Sequence, residues 1–444
     1  MSDLPSDLST GAPPFSTAAS LSQEALVASA CMKNARRLVT VLAIAYVVNY
    51  LDRNSIAYAG LTMNKALGLT ARQFGWAAGL TTFSYALLEV PSNLFMQKVG
   101  ARLWLSRIMI TWGFAVSAGV LVIGPTSLYI SRLVLGAAEA GFFPGVVMYL
   151  ATWFPARYRA RVFAWFLLAV PLSSLIGGPS AGLLLELDGY WHLQGWQWIF
   201  IAEGIPAIAI GIVTFAVLVD HPRDAHWLSS AERAALVAAL DAERSNRLQH
   251  DLVAALKDLR VLTLSVIQFG FTLGAYGVGI WLPLILKEHQ LTNLQIGLLT
   301  VPPYLAASLG MLVWARRTDR NARQILDLTL ACLLAAAGLV GSVLVSGLAP
   351  RLIALTIALI GVSSARAVFW TIPPRFLAGT AAAGGLAFIN SIGTLGGFFG
   401  PFTMGWLKDL TGSFNSGLLL MAVILTISAG FATLLRVFER RPQG

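Results

Sequence analysis

Apolar stretches close to twenty residues long recur from end to end of this chain, and that recurrence decides what it can fold into. At a rise of about 1.5 Å per residue, a helix needs roughly 20 residues to cross the hydrocarbon core of a bilayer. Only 12% of the 444 residues are charged, where soluble domains carry about 25%. Twelve spans fit, at roughly 38–61, 74–97, 103–124, 128–152, 160–185, 196–219, 261–286, 294–315, 325–347, 351–373, 380–406 and 414–436. The net charge of +10 is not gathered into one patch that would suit nucleic acid; the basic residues stand between the apolar stretches. The leader, the even-numbered loops and the C-terminal end hold about 22 lysines and arginines, the odd-numbered loops about 5. That bias places both termini in the cytoplasm and the lipid bilayer as the main partner.

Residues 1–35 lack a basic start followed by an apolar core, so they read as a disordered cytoplasmic tail rather than a secretory signal. The two cysteines, Cys31 and Cys332, imply no disulfide framework. There is no metal-ligand spacing, no phosphate loop and no nucleophile motif, so neither cofactor nor enzyme is expected. The longest connection, residues 220–260, joins a first bundle at 36–219 to a second at 261–444. Within it Ser229 and Glu232 have capping-box spacing and open a modest amphipathic helix, read as an interdomain linker rather than a regulatory surface helix.

The two halves repeat. Leu69, Thr70, Gln73 and Gly75 match Leu291, Thr292, Gln295 and Gly297 at an offset of about 222 residues. At the same offset Gln97-Lys98 faces Asp319-Arg320 and Gly178-Pro179 faces Gly400-Pro401, while 182–189 and 405–412 share a Gly-to-Gly spacing. The expected fold is an all-α membrane protein with twelve transmembrane helices in two six-helix bundles. Six plus six around a cytoplasmic loop resembles the major facilitator plan, with a site near the midplane.

The repeat also isolates the unusual charges. Asp52, Arg53, Arg132 and Glu139 lie inside spans of the first half, and their counterparts are Gly274, Ala275, Ala354 and Gly361. The fold can be built without charge at these places, which makes the charges candidates for function. Arg132 and Glu139 are seven residues apart, so they leave the same face of one helix. Either the four form a structural network, with Arg53 reaching for headgroups, or they line a polar cavity with Asn49. A guanidinium grips a carboxylate bidentately and stays charged, whereas a desolvated acid titrates nearer neutrality. Together these suit proton-coupled transport of an anion.

In the second half Arg366 is the one well-embedded cation; it either closes an anion site from the opposite bundle or pairs at an inner gate. Gln268, Tyr276, Tyr304 and Asn390 are hydrogen-bond donors available to an anion or ordinary bundle polarity, and Tyr85 is similar. Glu89 suits packing or gating. Lys98 and Arg102, with Asp319, Arg320 and Arg323, are either ordinary cytoplasmic charge or inner latches, and their repeat placement favours latches.

The motifs NYLDRNSIAYA, FSYALLEVPSNLFMQKVGARLWLSRIMITWG, RLVLGAAEAGFFPGVVMYLATWFPARYRAR, LQGWQWIFIAEGIPA and AAAGGLAFINSIGTLGGFFGP fall between residues 49 and 401 and carry a resemblance that runs over essentially residues 36–441. They resemble the anion:cation symporter branch of the major facilitator superfamily, most of all bacterial tartrate, phthalate and hydroxyphenylacetate permeases. The resemblance implies that Arg53 and Arg132 bind carboxylate and that Asp52 and Glu139 couple protons. It also implies an inner-membrane location and no obligate protein partner. Gln97 departs from the acid usual in the first loop motif, while Asp319 keeps it in the second. The expected function is uptake of a small organic anion with protons. An exchanger or uniporter of the same fold is the main alternative, and a non-transporting sensor would need an output domain.

Overall fold

The structure, a computed structural model, describes residues 15–244, 259–321, 323–373 and 380–439, which are helical with no strand among them. The spans are Thr40–Ala66, Ala71–Val99, Ala101–Ser117, Pro125–Trp153, Ala156–Leu185 and Gly195–Val217 in the first half. In the second they are Leu259–Lys287, Asn293–Asn321, Gln324–Leu344, Leu348–Phe369, Thr380–Thr411 and Asn415–Glu439. Among the described residues, nine are long and apolar enough to cross a membrane on length and composition alone. The remaining three, spans one, two and eleven, turn polar residues away from lipid. Spans two and eleven face each other across the bundle interface, and span one carries Asp52 and Arg53.

Three spans expected as continuous helices are broken, each by a proline. A proline ring clashes with the carbonyl four residues back and offers no N–H. Pro144 ends the first part of span four at Glu139, and Gly141 takes the left-handed turn (φ 87°) that restarts it at Phe142. The freed Ala140 carbonyl accepts from Ser92 Oγ at 2.6 Å, and that hydroxyl accepts from Trp104 Nε1 at 3.0 Å. Pro171 breaks span five at Leu168 in the same way, and Pro302 with Pro303 breaks span eight at Thr300.

The residues that betray the repeat are where the two bundles touch. Thr70–Gln73 and Thr292–Gln295 form reciprocal capping boxes that start spans two and eight. Just inside those starts, a β-carbon on Gly75 would overlap the Pro401 carbonyl, and one on Gly297 would overlap the Gly178 carbonyl. Tyr58 and Thr300 hydroxyls meet at 2.9 Å, and Asp409 accepts from the Ala71 and Arg72 amides at 3.0 and 2.8 Å. All these contacts lie at the end remote from the 220–260 connection. At the other end, no hydrogen bond or ion pair joins the bundles among the described residues. Among the described residues, the two bundles are tied together at the end remote from the linker.

Of the residues expected as inner latches, Lys98, Asp319, Arg320 and Arg323 are exposed and their side chains make no bond among the described residues. Arg102 is engaged, but within its own half. Its amide donates to Asp220 at 2.9 Å and its Nε to the Phe215 carbonyl at 2.8 Å.

The expected disordered tail is corrected over residues 15–34, which form a helix, Phe15–Asn34. Tertiary contacts outweigh its loop-like composition. Val27, Ala30 and Cys31 are buried as it packs on the linker helix Ser230–Arg244, which buries Leu236 and Leu240. Glu232 completes the expected capping box with Ser229 and also accepts from Lys33 Nζ at 2.7 Å and Ser29 Oγ at 2.6 Å. The linker helix is fixed to the first bundle as well, through Arg159 and Glu243 at 2.8 Å, and Trp227, just before it, stacks on Trp153. Residues 245–258, and the rest of the expected tail, lie outside the described residues.

The Lys33 and Ser29 hydrogen bonds, with the Ser229 amide, hold the Glu232 carboxyl down at about 2, below its ordinary 4.5. A depressed carboxyl contributes stability above its ordinary value and loses it only as pH falls toward the folded one. The docked helix is therefore expected to stay in place from about pH 8 to about pH 5. Burial pushes the Cys31 thiol up to about 12, so it reacts slowly with maleimide. Glu232→Gln is expected to raise Cys31 labelling roughly tenfold, since it removes charged hydrogen bonds. Equal labelling of the two proteins would contradict the docking role.

Candidate functional site: a charged cluster beneath the closed end

Span one positions the first pair. It is helical through residues 40–66, and Asn49, Asp52 and Ser55 follow at spacings of three, so they share one buried face. Arg53 turns the next way and keeps 22% of its side chain exposed. It lies five residues, about 8 Å, below the Tyr58 contact that closes the far end.

The guanidinium of Arg53 is held on two sides. Its Nε donates to Glu139 Oε2 at 3.1 Å, and its plane lies over the Tyr85 ring at 4.6 Å. Glu139 itself is fully buried. Tyr50 and, from the second bundle, Tyr276 also lie in the field of Arg53. A cation that is half-buried, stacked, and bound by only one carboxylate oxygen has donors left for another anion.

Behind it lies a second, drier layer. Arg132 is 1% exposed, its guanidinium lies over the Phe200 ring at 4.9 Å, and its Nε and Nη2 have no partner. Its charged neighbours are Asp52, Glu203 and Glu139. Asp52 is buried with its carboxyl against that of Glu139. Buried donors and acceptors left without partners are costly.

The four charges read from the sequence, with Tyr85 and Tyr276, therefore converge. Asn49 is buried with its Nδ2 unpartnered. Gln268 Nε2 donates to Asn390 Oδ1 at 3.3 Å, forming a separate polar pair in the second bundle. Arg366 is half-buried and has no ion pair among the described residues. Tyr304 is near Gly279, its hydroxyl 3.4 Å from where a β-carbon would stand.

Glu203 stands in the span-six motif LQGWQWIFIAEGIPA and is not among the expected site residues. Testing it against the repeat would have found it, because its counterpart is Leu425. Leu425 sits over Gly274, the counterpart of Asp52, its Cδ1 3.2 Å from where a β-carbon would stand. Where the first half keeps carboxyls and a guanidinium, the second packs a leucine. The polarity belongs to the site rather than to the scaffold.

Comparison with known proteins agrees with this architecture. A protein of Agrobacterium vitis named as a tartrate transporter is 46% identical over 395 residues, covering 88% of each chain. A quinolone resistance transporter of Acinetobacter baumannii is 40% identical over 393 residues, covering 88% of this chain and 91% of its own. Among solved structures, a bacterial homolog of the human lysosomal transporter Spinster superposes with a TM-score of 0.76 at 15% identity. It covers 98% of this chain and 100% of that one. The profile of the Major Facilitator Superfamily matches residues 42–401, so the chain is a membrane transporter that belongs to that superfamily.

Proposed function

We propose that this transporter carries a small organic carboxylate into the cell across the inner membrane, driven by protons. The observation that carries the reading is the single-oxygen bond between Arg53 and Glu139 on a guanidinium still open to the inter-bundle space. A proton on Glu139 would release Arg53 to a substrate carboxylate; loss of the proton would return Glu139 as a competitor and expel the substrate. The names of the tartrate relatives support a small hydroxylated acid, and Tyr50, Tyr85 and Tyr276 around Arg53 would also accept an aromatic one. Asp52 and Arg132 form the buried layer that senses which partner Arg53 holds. Closure at the far end, with both termini cytoplasmic, makes this the state that releases substrate inward.

The test is uptake into proteoliposomes under an imposed pH gradient, acid outside, with labelled tartrate and a panel of aromatic and sugar acids. Accumulation that collapses with a protonophore is expected for at least one acid; accumulation indifferent to the gradient would sink the coupling. Arg53→Lys is expected to abolish uptake even though charge is kept, because an ammonium loses both the Nε geometry and the stacked plane on Tyr85. Retained uptake in that variant would remove Arg53 from the binding role.

A further inference from the structure

We infer that Glu203 is a third working acid of this site: it shares Arg132 with Asp52 and holds the proton that keeps the empty cluster neutral. This rests on the proton-coupled reading above and extends it to a residue outside the expected set.

Three observations converge. Span six presents Phe200 and Glu203 three residues apart, hence on one face, and Arg132 lies over the first ring with the second in its field. The Oε2 atom of Glu203 is enclosed with no hydrogen-bond partner among the described residues, as are two nitrogens of Arg132, and the Asp52 carboxyl lies against that of Glu139. Glu203 also reaches the Ser55 hydroxyl. That hydroxyl already gives its hydrogen to the Asp52 carbonyl at 2.6 Å. The hydroxyl can accept from Glu203 when that carboxyl carries a proton or turn its hydrogen to it when it is ionised, so this contact accommodates both states.

Charge counting points the same way. Arg53 and Arg132 bring two positive charges; Asp52, Glu139 and Glu203 bring three carboxyls. Ionised throughout, the cluster would be one negative charge in excess in a dry interior, where an unpaired buried charge is expensive. Arg53 takes Glu139, which leaves Arg132 with two acids to serve. One of them pairs and the other keeps a proton. Of the elements packed on this part of span six, span three meets its neighbour Gly204 with Gly113 and Ser117, and span five brings Leu185 to the start of the span.

Glu203 is thus a positioning residue for Arg132 and a store for one proton. Exchange of Arg132 between Asp52 and Glu203 moves that proton from one acid to the other without changing the total charge. A carrier lacking this acid has two carboxyls against two arginines and is neutral when empty with no proton at all, so its resting protonation changes.

Infrared difference spectroscopy of the purified, substrate-free protein tests this without any ligand. Wild type near neutral pH is expected to show the carbonyl stretch of a protonated carboxyl, sensitive to deuterium exchange. That band should vanish in Glu203→Gln and in Asp52→Asn alike, because either variant balances the cluster, and should return in Glu203→Asp. In proteoliposomes with labelled tartrate as probe, the pH profile of uptake should flatten in Glu203→Gln and recover in Glu203→Asp. A band that persists unchanged in both variants overturns the inference. Wild-type uptake indifferent to a pH gradient overturns the parent reading instead, and the infrared result still decides the role of Glu203. Should Glu203→Gln not fold, Asp52→Asn alone carries the spectroscopic test.

Discussion

With leucine in place of Gly178, the protein is expected to insert and fold but to lose nearly all uptake. A β-carbon at Gly178 would overlap the Gly297 carbonyl and Thr300 Oγ1, so any larger side chain wedges spans five and eight apart at the closed end. Neither half needs that contact to build its own bundle. The penalty therefore falls on the closed-outside state alone. Overpacking costs about 1–3 kcal/mol, and an energy of that size shifts a two-state equilibrium roughly 5- to 150-fold. Leucine at such a tight site belongs at the upper end. The measurement is thiol labelling from outside in a Thr300→Cys background, since Cys31 and Cys332 are both buried. Thr300 is fully buried at the interface. Labelling should be slow with Gly178 and fast with leucine, while substrate still protects the protein against heat. Slow labelling in both would mean that the two ends do not open in alternation as described.

Glu139→Gln is expected to separate exchange from accumulation. Glutamine keeps an oxygen for Arg53 Nε, so the geometry at 3.1 Å survives, but it cannot return as a competing charge. Substrate would bind and cross, labelled against unlabelled, at close to the wild-type rate. The accumulation ratio under a pH gradient would collapse to about one, because a ligand or proton shifts an equilibrium only through a difference in affinity between states. The pH profile of exchange should flatten as well. Equal loss of exchange and accumulation would assign Glu139 to folding or binding and remove it from coupling.

Much of this was legible without coordinates, and the reasons are specific. Asp52, Arg53, Arg132 and Glu139 stood out because each interrupts an apolar run whose repeat partner is uncharged. Pairing was harder to read. Spacing along a helix put Arg132 and Glu139 on one face, yet the closest ion pair joins Glu139 to Arg53 of another span. Burial was invisible too: Arg53 and Arg132 look alike in sequence, but one is open to the inter-bundle space and the other is sealed behind it. Gly178 and Gly297 mark the repeat in the sequence, but that they meet each other is not legible there, because register between spans is a tertiary fact. The breaks before Pro144, Pro171 and Pro302 follow from local sterics and were available from the start. The helix at 15–34 was not, since Glu232, some two hundred residues on, supplies its anchor.

The broken fourth span has one more effect. Its first segment stops at Glu139, so the carboxylate sits against carbonyl groups with no following turn to receive them. A helix end of that kind behaves like roughly half a negative charge, and it repels an anion placed on it. Arg53 is what offsets this repulsion, through one oxygen; the other oxygen has no partner. A substrate that draws Arg53 away leaves Glu139 facing its own backbone field. Under the proposed coupling, a proton on that carboxyl would answer the loss of Arg53, and a proton arriving first would loosen Arg53 for the substrate. The dipole of a fifteen-residue helix would thus make each ligand the recruiter of the other.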